Sequence, residues 1–202
     1  MRIIVSLLIG YMMGCINPAA IISKVKNVNL KATGTKNLGA TNTTLVLGKR
    51  AGVMVLIVDI MKSILSAKLV KLLFPHAVCT GMIACIGCIL GHCFPFFLGF
   101  QGGKGLAAFA GMVLEYSPCF AITIVIPGVI LVMILNTGVA APILGCIVFP
   151  ILVACFHGDG REIILALVAS IIILWTHRDN LKRALMRDDV VSARDFLGRI
   201  TK

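Results

Sequence analysis

Charge is what this chain has least of. Only 13% of its residues are Asp, Glu, Lys or Arg, with 8 acids against 19 bases, where a soluble globular domain carries about a quarter charged residues. So few polar residues exclude a disordered chain and a coiled coil. Aromatics are scarce as well, at 6% with a single Trp, so the stacking platforms of a nucleic-acid binder are missing and no nucleic-acid partner is expected. A chain of 202 residues that is 59% hydrophobic has no need of disulfide staples. Of its eight cysteines, Cys15, Cys79, Cys85, Cys88, Cys119, Cys146 and Cys155 lie in apolar runs and read as small apolar filler. Cys85, Cys88 and His92 share a helical face at i, i+3 and i+7, but three ligands fall short of the four that close a structural zinc site. No metal and no cofactor are expected.

What the chain does have is apolar length. Its mean hydropathy is +1.03, and apolar runs recur at residues 3–22, 51–74, 78–98, 105–117, 119–135, 139–156 and 162–176, most of them long enough for a bilayer core. Arg2 with the following apolar stretch resembles a signal peptide, and Met12-Met13-Gly14-Cys15 loosely resembles a lipobox. The run continues through Ile22, however, which favours a first span over a cleaved leader. The expected fold is all-α: a polytopic membrane protein, one domain over residues 1–202, with a motif loop at 23–50 and a tail at 177–202.

The net charge of +11 is gathered in two places. Lys24, Lys26, Lys31, Lys36, Lys49 and Arg50 form one cluster without acids. Arg178, Lys182, Arg183, Arg187, Arg194, Arg199 and Lys202 form the other, diluted by Asp179, Asp188, Asp189 and Asp195. The positive-inside rule puts both on the cytoplasmic side, so an even number of crossings must separate residue 50 from residue 177. The run at 105–117 is short, and a re-entrant segment is its alternative reading. Counting it gives six crossings and omitting it gives five, so parity predicts seven helices, N-terminus outside and C-terminus cytoplasmic. Pro127 and Pro142 are expected to kink their spans.

Polar chemistry is confined to a few stretches. Thr33-Gly34-Thr35-Lys36-Asn37-Leu38-Gly39-Ala40-Thr41-Asn42-Thr43-Thr44 offers neutral donors, one cation and two glycines that allow backbone N–H groups to turn toward an anion. Taken alone, it reads equally as a solvated turn with a helix cap. Gly102-Gly103-Lys104-Gly105 opens a helix, where free N–H groups, the positive dipole end and a Lys suit phosphate; the spacing is not that of the nucleotide P-loop. His177 and Asn180 stand at i and i+3 and point the same way if the last helix continues. Arg178, Lys182 and Arg183 read as interfacial anchors, and Phe94, Phe96, Phe97 and Phe100 as interface markers. Asp59 and Lys62, also at i and i+3, read as an ion pair inside the bundle.

Gly10-Tyr11 with Gly14, Gly34-x-x-Asn37-x-Gly39-Ala40-Thr41-Asn42, Asp59-x-x-Lys62, Gly91-His92-x-Phe94-Pro95, Gly102-Gly103-Lys104-Gly105 and His177-Arg178-x-Asn180 occur in this order over essentially the whole chain. In that order the chain resembles the PlsY-type glycerol-3-phosphate acyltransferases of bacteria. The resemblance implies a multi-pass protein of the bacterial cell membrane with a cytoplasm-facing site. There an acyl phosphate, supplied by an acyl-phosphate-producing enzyme, and glycerol 3-phosphate give 1-acylglycerol 3-phosphate and inorganic phosphate, with membrane lipid around the site. Such a donor is a mixed anhydride, so placement and phosphate neutralisation suffice and no covalent nucleophile is required; the resemblance implies that the leaving phosphate itself takes the proton.

On this reading Lys104, His177 and Asn180 are the catalytic candidates. Thr35, Lys36, Asn37, Thr41, Asn42, His92, Gly102, Gly103 and Lys104 are the substrate-binding ones. Four positions depart from the family pattern. Thr35-Lys36 stands where Ser-Gly is usual, Gln101 where Lys is usual, and Leu45 where a phosphate-binding Arg is usual. A lost Arg contact of this kind is worth on the order of 1.5–3 kcal/mol, and Lys36 restores charge without the fork geometry. The alternatives are a catalytically weakened relative acting as a membrane binding or assembly partner, and a small-anion transporter. The transporter would predict polar groups at mid-depth in several spans, whereas here mid-span charge is nearly confined to Asp59 and Lys62.

Overall fold

Asn17 and Pro18 break the first apolar run in two. The computed structural model describes residues 1–156 and 159–186, and within them α1 (Arg2–Cys15) stops just before Asn17 and α2 (Pro18–Val25) starts just after it. Asn17 caps α2 by accepting from Ala20 N at 2.9 Å, and Pro18 sits at the first helical position, where its missing N–H costs nothing. The single span expected over 3–22 is therefore a broken helix. The loop expected at 23–50 also holds a helix that the polar composition hid, α3 (Ala40–Leu47). Its first turn is tied by Thr43 Oγ1 donating to Gly39 O at 2.9 Å. Its Thr44 packs so closely on Gly52 that a side chain there would overlap the Thr44 hydroxyl.

The remaining elements follow the apolar runs closely: α4 (Lys49–Leu73), α5 (Thr80–Cys93) with a 3-10 turn at Phe96–Leu98, α6 (Leu106–Tyr116), α7 (Pro118–Leu135), α8 (Ala140–Phe156) and α9 (Gly160–Leu185). α9 continues nine residues past the predicted 176, which carries His177 and Asn180 onto the helix. Pro142 lies in the first turn of α8, where no intrahelical donor is needed, so it interrupts nothing; Pro127 and Pro150 are the prolines inside helices. All regular elements among the described residues are helical. Among the described residues, four stretches are long and apolar enough to cross a membrane: Arg2–Val25, Thr80–Leu98, Pro118–Leu135 and Gly160–Leu185. α4 is long enough, but Asp59, Lys62, Lys68 and Lys71 interrupt its apolar run. α6, with 11 residues, and α8, with 17, are shorter; at ~1.5 Å per residue α6 extends only about 16 Å. Arg187, Arg194, Arg199, Lys202 and the loop at Gly158 lie outside the described residues.

α5 is the axis of the bundle, and most of its side chains are buried. On one side it meets α1 through facing small residues. Gly10 and Gly14 of α1 lie against the backbone of Ala84 and Cys88, and Gly87 and Gly91 of α5 lie against the backbone from Leu7 to Tyr11; a Cβ at any of the four would overlap a carbonyl oxygen. This is the small-residue packing that lets membrane helices approach closely where no hydrophobic effect drives them together. Tyr11 closes the interface by donating to Phe94 O at 2.8 Å. On its other side α5 shares an apolar core with α6, α8 and α9, with Ile89, Met112, Phe149 and Ile173 among its largest fully buried members. Cys85 and Cys88 belong to this core. α7 turns Ile122, Ile126 and Ile130 outward, as a lipid-facing helix does.

The two ends of the bundle differ. At one end Lys71 pairs with Glu115 at 2.7 Å and Tyr116 donates to Glu162 Oε2 at 2.8 Å. At the other end gather Lys24, Lys31, Lys36, Lys49, Arg50, Lys104 and the last turns of α9, with Asp179 the single acid there among the described residues.

Candidate functional site

Three chain segments meet at the basic end. The 26–39 connection is folded by Asn42, whose side chain is fully buried. Its Nδ2 donates to Leu30 O at 2.8 Å, and its Oδ1 accepts from Thr35 N at 2.7 Å. Gly34 is in the left-handed region (φ 61°), and a Cβ there would run into Asn42 Oδ1, so this bend is reserved for glycine. The second segment, 99–105, returns antiparallel to the end of α5: Gly102 N donates to Cys93 O and Gly103 N to His92 O, both at 3.0 Å. The third is the end of α9. Thr176 Oγ1 donates to Lys104 O at 2.8 Å, and Lys104 Nζ donates to Asn180 Oδ1.

These segments enclose a cavity of about 560 Å³ with two unlike halves. Its polar half is lined by Thr35, Asn37, Gly39, Ala40, Thr41, Asp59, His92, Lys104, His177, Asn180 and Arg183, together with the first residues of α6. Its apolar half runs between α4, α6, α7 and α8 along Leu56, Ile60, Phe109, Val113, Ile124 and Val129. Lys104 and Arg183 are the two basic side chains on its wall among the described residues. Burial, and then the field of Arg183, lowers the Lys104 ammonium to about 8, with Asp179 pulling the other way. The N-terminus of α6 opens onto the same space, adding the dipole end of a helix whose first N–H groups lack intrahelical acceptors.

Beneath the cavity lies a buried charged cluster. Lys62 Nζ donates to Gly14 O at 3.0 Å and to Ile16 O at 2.8 Å, the carbonyls left bare where α1 breaks. It also lies 2.9 Å from His92 Nδ1 and 2.8 Å from Asp59 Oδ1, and that carboxylate oxygen is itself 3.2 Å from His92 Nδ1. His177, at 7% exposure, is held differently: its Nδ1 meets the Ile173 carbonyl of its own helix at 2.9 Å. A carbonyl only accepts, so Nδ1 carries the proton and Nε2 is the bare nitrogen.

Of the sequence candidates, Thr35, Asn37, Thr41, His92, Lys104, His177 and Asn180 share this cavity, and Lys36, Asn42, Gly102 and Gly103 do not line it. Lys36 is exposed on the outside of the loop. Asn42 spends its amide on holding the loop, so it is a staple. Gly102 and Gly103 have their N–H groups committed to α5 carbonyls, so the expected cradle of free glycine amides gives way to Lys104 and the start of α6. Sequence reasoning missed Arg183, read as an anchor although it continues the His177 and Asn180 face at i+3. Arg178 does not line the cavity; its guanidinium lies 4.4 Å over the Trp175 ring. Leu45, on α3, does not line the cavity.

Residues 4–187 match the family model described as glycerol-3-phosphate acyltransferase. A glycerol-3-phosphate acyltransferase of Thermoanaerobacter sp. (strain X514) is 34% identical over 92% of this chain and 93% of its own length. One from Lactiplantibacillus plantarum is 34% identical over 91% and 88%. Among solved structures, the crystal structure of PlsY, an integral membrane glycerol 3-phosphate acyltransferase, in its glycerol 3-phosphate form superposes with a TM-score of 0.86 at 27% identity over 94% of both chains. The lysophosphatidic acid form gives 0.87 at 26% identity, over 98% of this chain and 100% of that one.

Proposed function

This chain belongs to the glycerol-3-phosphate acyltransferase family, and from that premise we propose that the cavity at its basic end is where glycerol 3-phosphate takes an acyl group from an acyl phosphate. The chain is a glycerol-3-phosphate acyltransferase of phospholipid synthesis. One observation carries the proposal: a single cavity has two cations and neutral donors in one half and a largely apolar wall in the other, with Asp59, paired to Lys62, where the two meet, which suits an anionic head joined to an acyl chain.

The 1-hydroxyl oxygen of glycerol 3-phosphate bonds to the acyl carbon, the bond from that carbon to the phosphate oxygen breaks, and phosphate leaves with the electron pair. The leaving phosphate takes the hydroxyl proton, so lysophosphatidate and inorganic phosphate are formed in balance. An acyl phosphate is already activated, which leaves the protein to hold two anions side by side and align hydroxyl with acyl carbon. Lys104, the α6 N-terminus and Arg183 neutralise the phosphates. Thr35, Asn37 and Thr41 orient polar groups from the loop, His92 contributes beside the 102–104 turn, and Asn180 positions the Lys104 ammonium next to His177. Arg183 also supplies the guanidinium that Leu45 does not.

The chain is one membrane domain with seven crossings, N-terminus outside and C-terminus cytoplasmic, in a bacterial cell membrane. Crossing parity and the gathering of cations at the cavity end support this topology. An enzyme that makes acyl phosphate supplies the donor from the cytoplasmic side. The test is purified protein in detergent with acyl phosphate and glycerol 3-phosphate, following phosphate release and lysophosphatidate together. Absence of both products, under conditions where a PlsY protein turns over, overturns the donor assignment. Labelling of Lys36→Cys, with Cys119 and Cys155 replaced, reports sidedness: modification by an impermeant thiol reagent in intact cells contradicts a cytoplasmic site.

A further inference from the structure

The Lys62 ammonium has three hydrogens, and the structure gives it three hydrogen-bond acceptors: Gly14 O at 3.0 Å, Ile16 O at 2.8 Å and His92 Nδ1 at 2.9 Å. Asp59 Oδ1 lies 2.8 Å from the ammonium and 3.2 Å from His92 Nδ1 but has hydrogen-bond geometry to neither, so it supplies the opposing charge while the ammonium, 2.9 Å away, is the hydrogen-bond partner of Nδ1. An ammonium only donates, so Nδ1 of His92 is an acceptor and the one hydrogen of the neutral ring is on Nε2. A second proton at Nδ1 would require Lys62 to move off the ring. The imidazole is thus held as a donor that does not become a base.

Its free edge faces the chemistry. His92 is 3% exposed yet lines the cavity. Its Nε2 lies so near Gly103 that a Cβ there would overlap it, which puts the N–H against the turn that carries Lys104. Among the described residues Nε2 hydrogen-bonds to none, and it is not sealed from the cavity. The neighbouring backbone donors, Gly102 N and Gly103 N, are turned away onto α5 carbonyls. An unpartnered N–H open to the cavity beside a phosphate-binding turn is what a developing negative charge requires, because a preorganised donor needs no reorganisation at the moment of reaction.

Resting on the acyltransferase reading above, we propose that His92 Nε2–H donates to the acyl phosphate oxygen that gains charge as the glycerol hydroxyl adds, and that Lys62 with Asp59 is the positioning pair that fixes this tautomer. Residues of the broken first helix thereby take part in the site at one remove, since Gly14 and Ile16 hold the ammonium that holds the ring.

The experiment compares His92→Gln with His92→Asn. A Gln places an amide N–H near the position of Nε2, whereas Asn reaches only as far as Nδ1. The expected result is that His92→Gln keeps kcat within about tenfold of wild type. His92→Asn should lose about 10²- to 10³-fold in kcat, the range for a lost oxyanion donor, with KM for glycerol 3-phosphate changed less than about threefold. Nitrogen-15 NMR of histidine-labelled protein should show the Nε2–H tautomer for the resonance that His92→Gln removes. In Asp59→Asn/Lys62→Met that resonance should move toward the mixed tautomers of a free imidazole. Equal losses in the two His92 variants, or no loss in either, overturn the donor assignment. A Nδ1–H tautomer in wild type overturns it without recourse to any variant's folding. An inactive wild type would instead sink the acyltransferase reading, so the two failures are distinguishable.

Discussion

His92 and His177 enter the same cavity from α5 and α9, one steadied by a buried ammonium from α4 and the other by a carbonyl four residues back on its own helix. The first presents an N–H and the second a bare nitrogen. The local solution is cheap: Ile173 O is available wherever α9 continues, and no charge is buried. The remote one commits Asp59, Lys62 and the broken end of α1 to the orientation of one ring, in a region where a charge left alone is expensive. A site that needs both a fixed donor and a fixed acceptor has here obtained them by unlike means, and the two should fail in unlike ways.

The largest effect removes what stands beside both. Lys104→Ala should lower kcat/KM by about 10³-fold, since it deletes the principal phosphate cation and frees Asn180; steady-state phosphate release measures it, and unchanged rates would mean the phosphates bind elsewhere. Next, the two supports can be set against each other. Lys62→Met leaves the buried Asp59 carboxylate without its cation and beside the His92 ring alone, and should cost about 3–5 kcal/mol of stability, seen as a lowered unfolding temperature in detergent. His177→Ala should lower kcat/KM by about 10²-fold while shifting that temperature little. If His177→Ala were the destabilising one, the contrast drawn here would be reversed.

Lys104 also gives the comparison a pH axis. Its ammonium, lowered to about 8, is present below that pH and lost above it. In the free enzyme kcat/KM should therefore be flat below about 8 and fall about tenfold per unit above, a decline that Lys104→Arg pushes upward. The smallest contrast lies within α9: Arg183→Ala should raise KM about tenfold, the worth of one charge-assisted contact. Arg178→Ala, which leaves a Trp175 stack outside the cavity, should change KM less than about twofold.

What the sequence revealed and what it hid divide along the same local and remote line. The runs that became α6, α7 and α8 are within a residue or two of their predicted ends, because apolar length alone defines them. His177 and Asn180 were readable from their i, i+3 spacing. α3 was hidden because a Thr- and Asn-rich stretch has little helical signal, and it is held by packing on Gly52 that no local pattern encodes. Asn42 and the Gly102–Gly103 pair were legible as polar or flexible positions, but not as groups already spoken for: their partners, Leu30 O, Cys93 O and His92 O, come from other segments. Arg183 had a readable signal, the continuation of the His177 face, outweighed by its resemblance to an anchor. Asp59 and Lys62 were read as an ion pair, and what sequence could not supply is that the pair also touches His92 and the end of α1.

That last contact bears on how the protein is made. A Lys at the middle of a helix costs about 2.5–3.5 kcal/mol to place in a bilayer on insertion scales, and Lys62 is at the middle of α4, next to Asp59. The carbonyls of Gly14 and Ile16 that receive its hydrogens belong to the segment synthesised first, so the compensation is waiting when α4 emerges. Entry of α4 into the membrane is thus conditional on α1 having arrived with its break intact: removing Asn17 and Pro18 to make a continuous first helix should act before catalysis, as a failure of biogenesis.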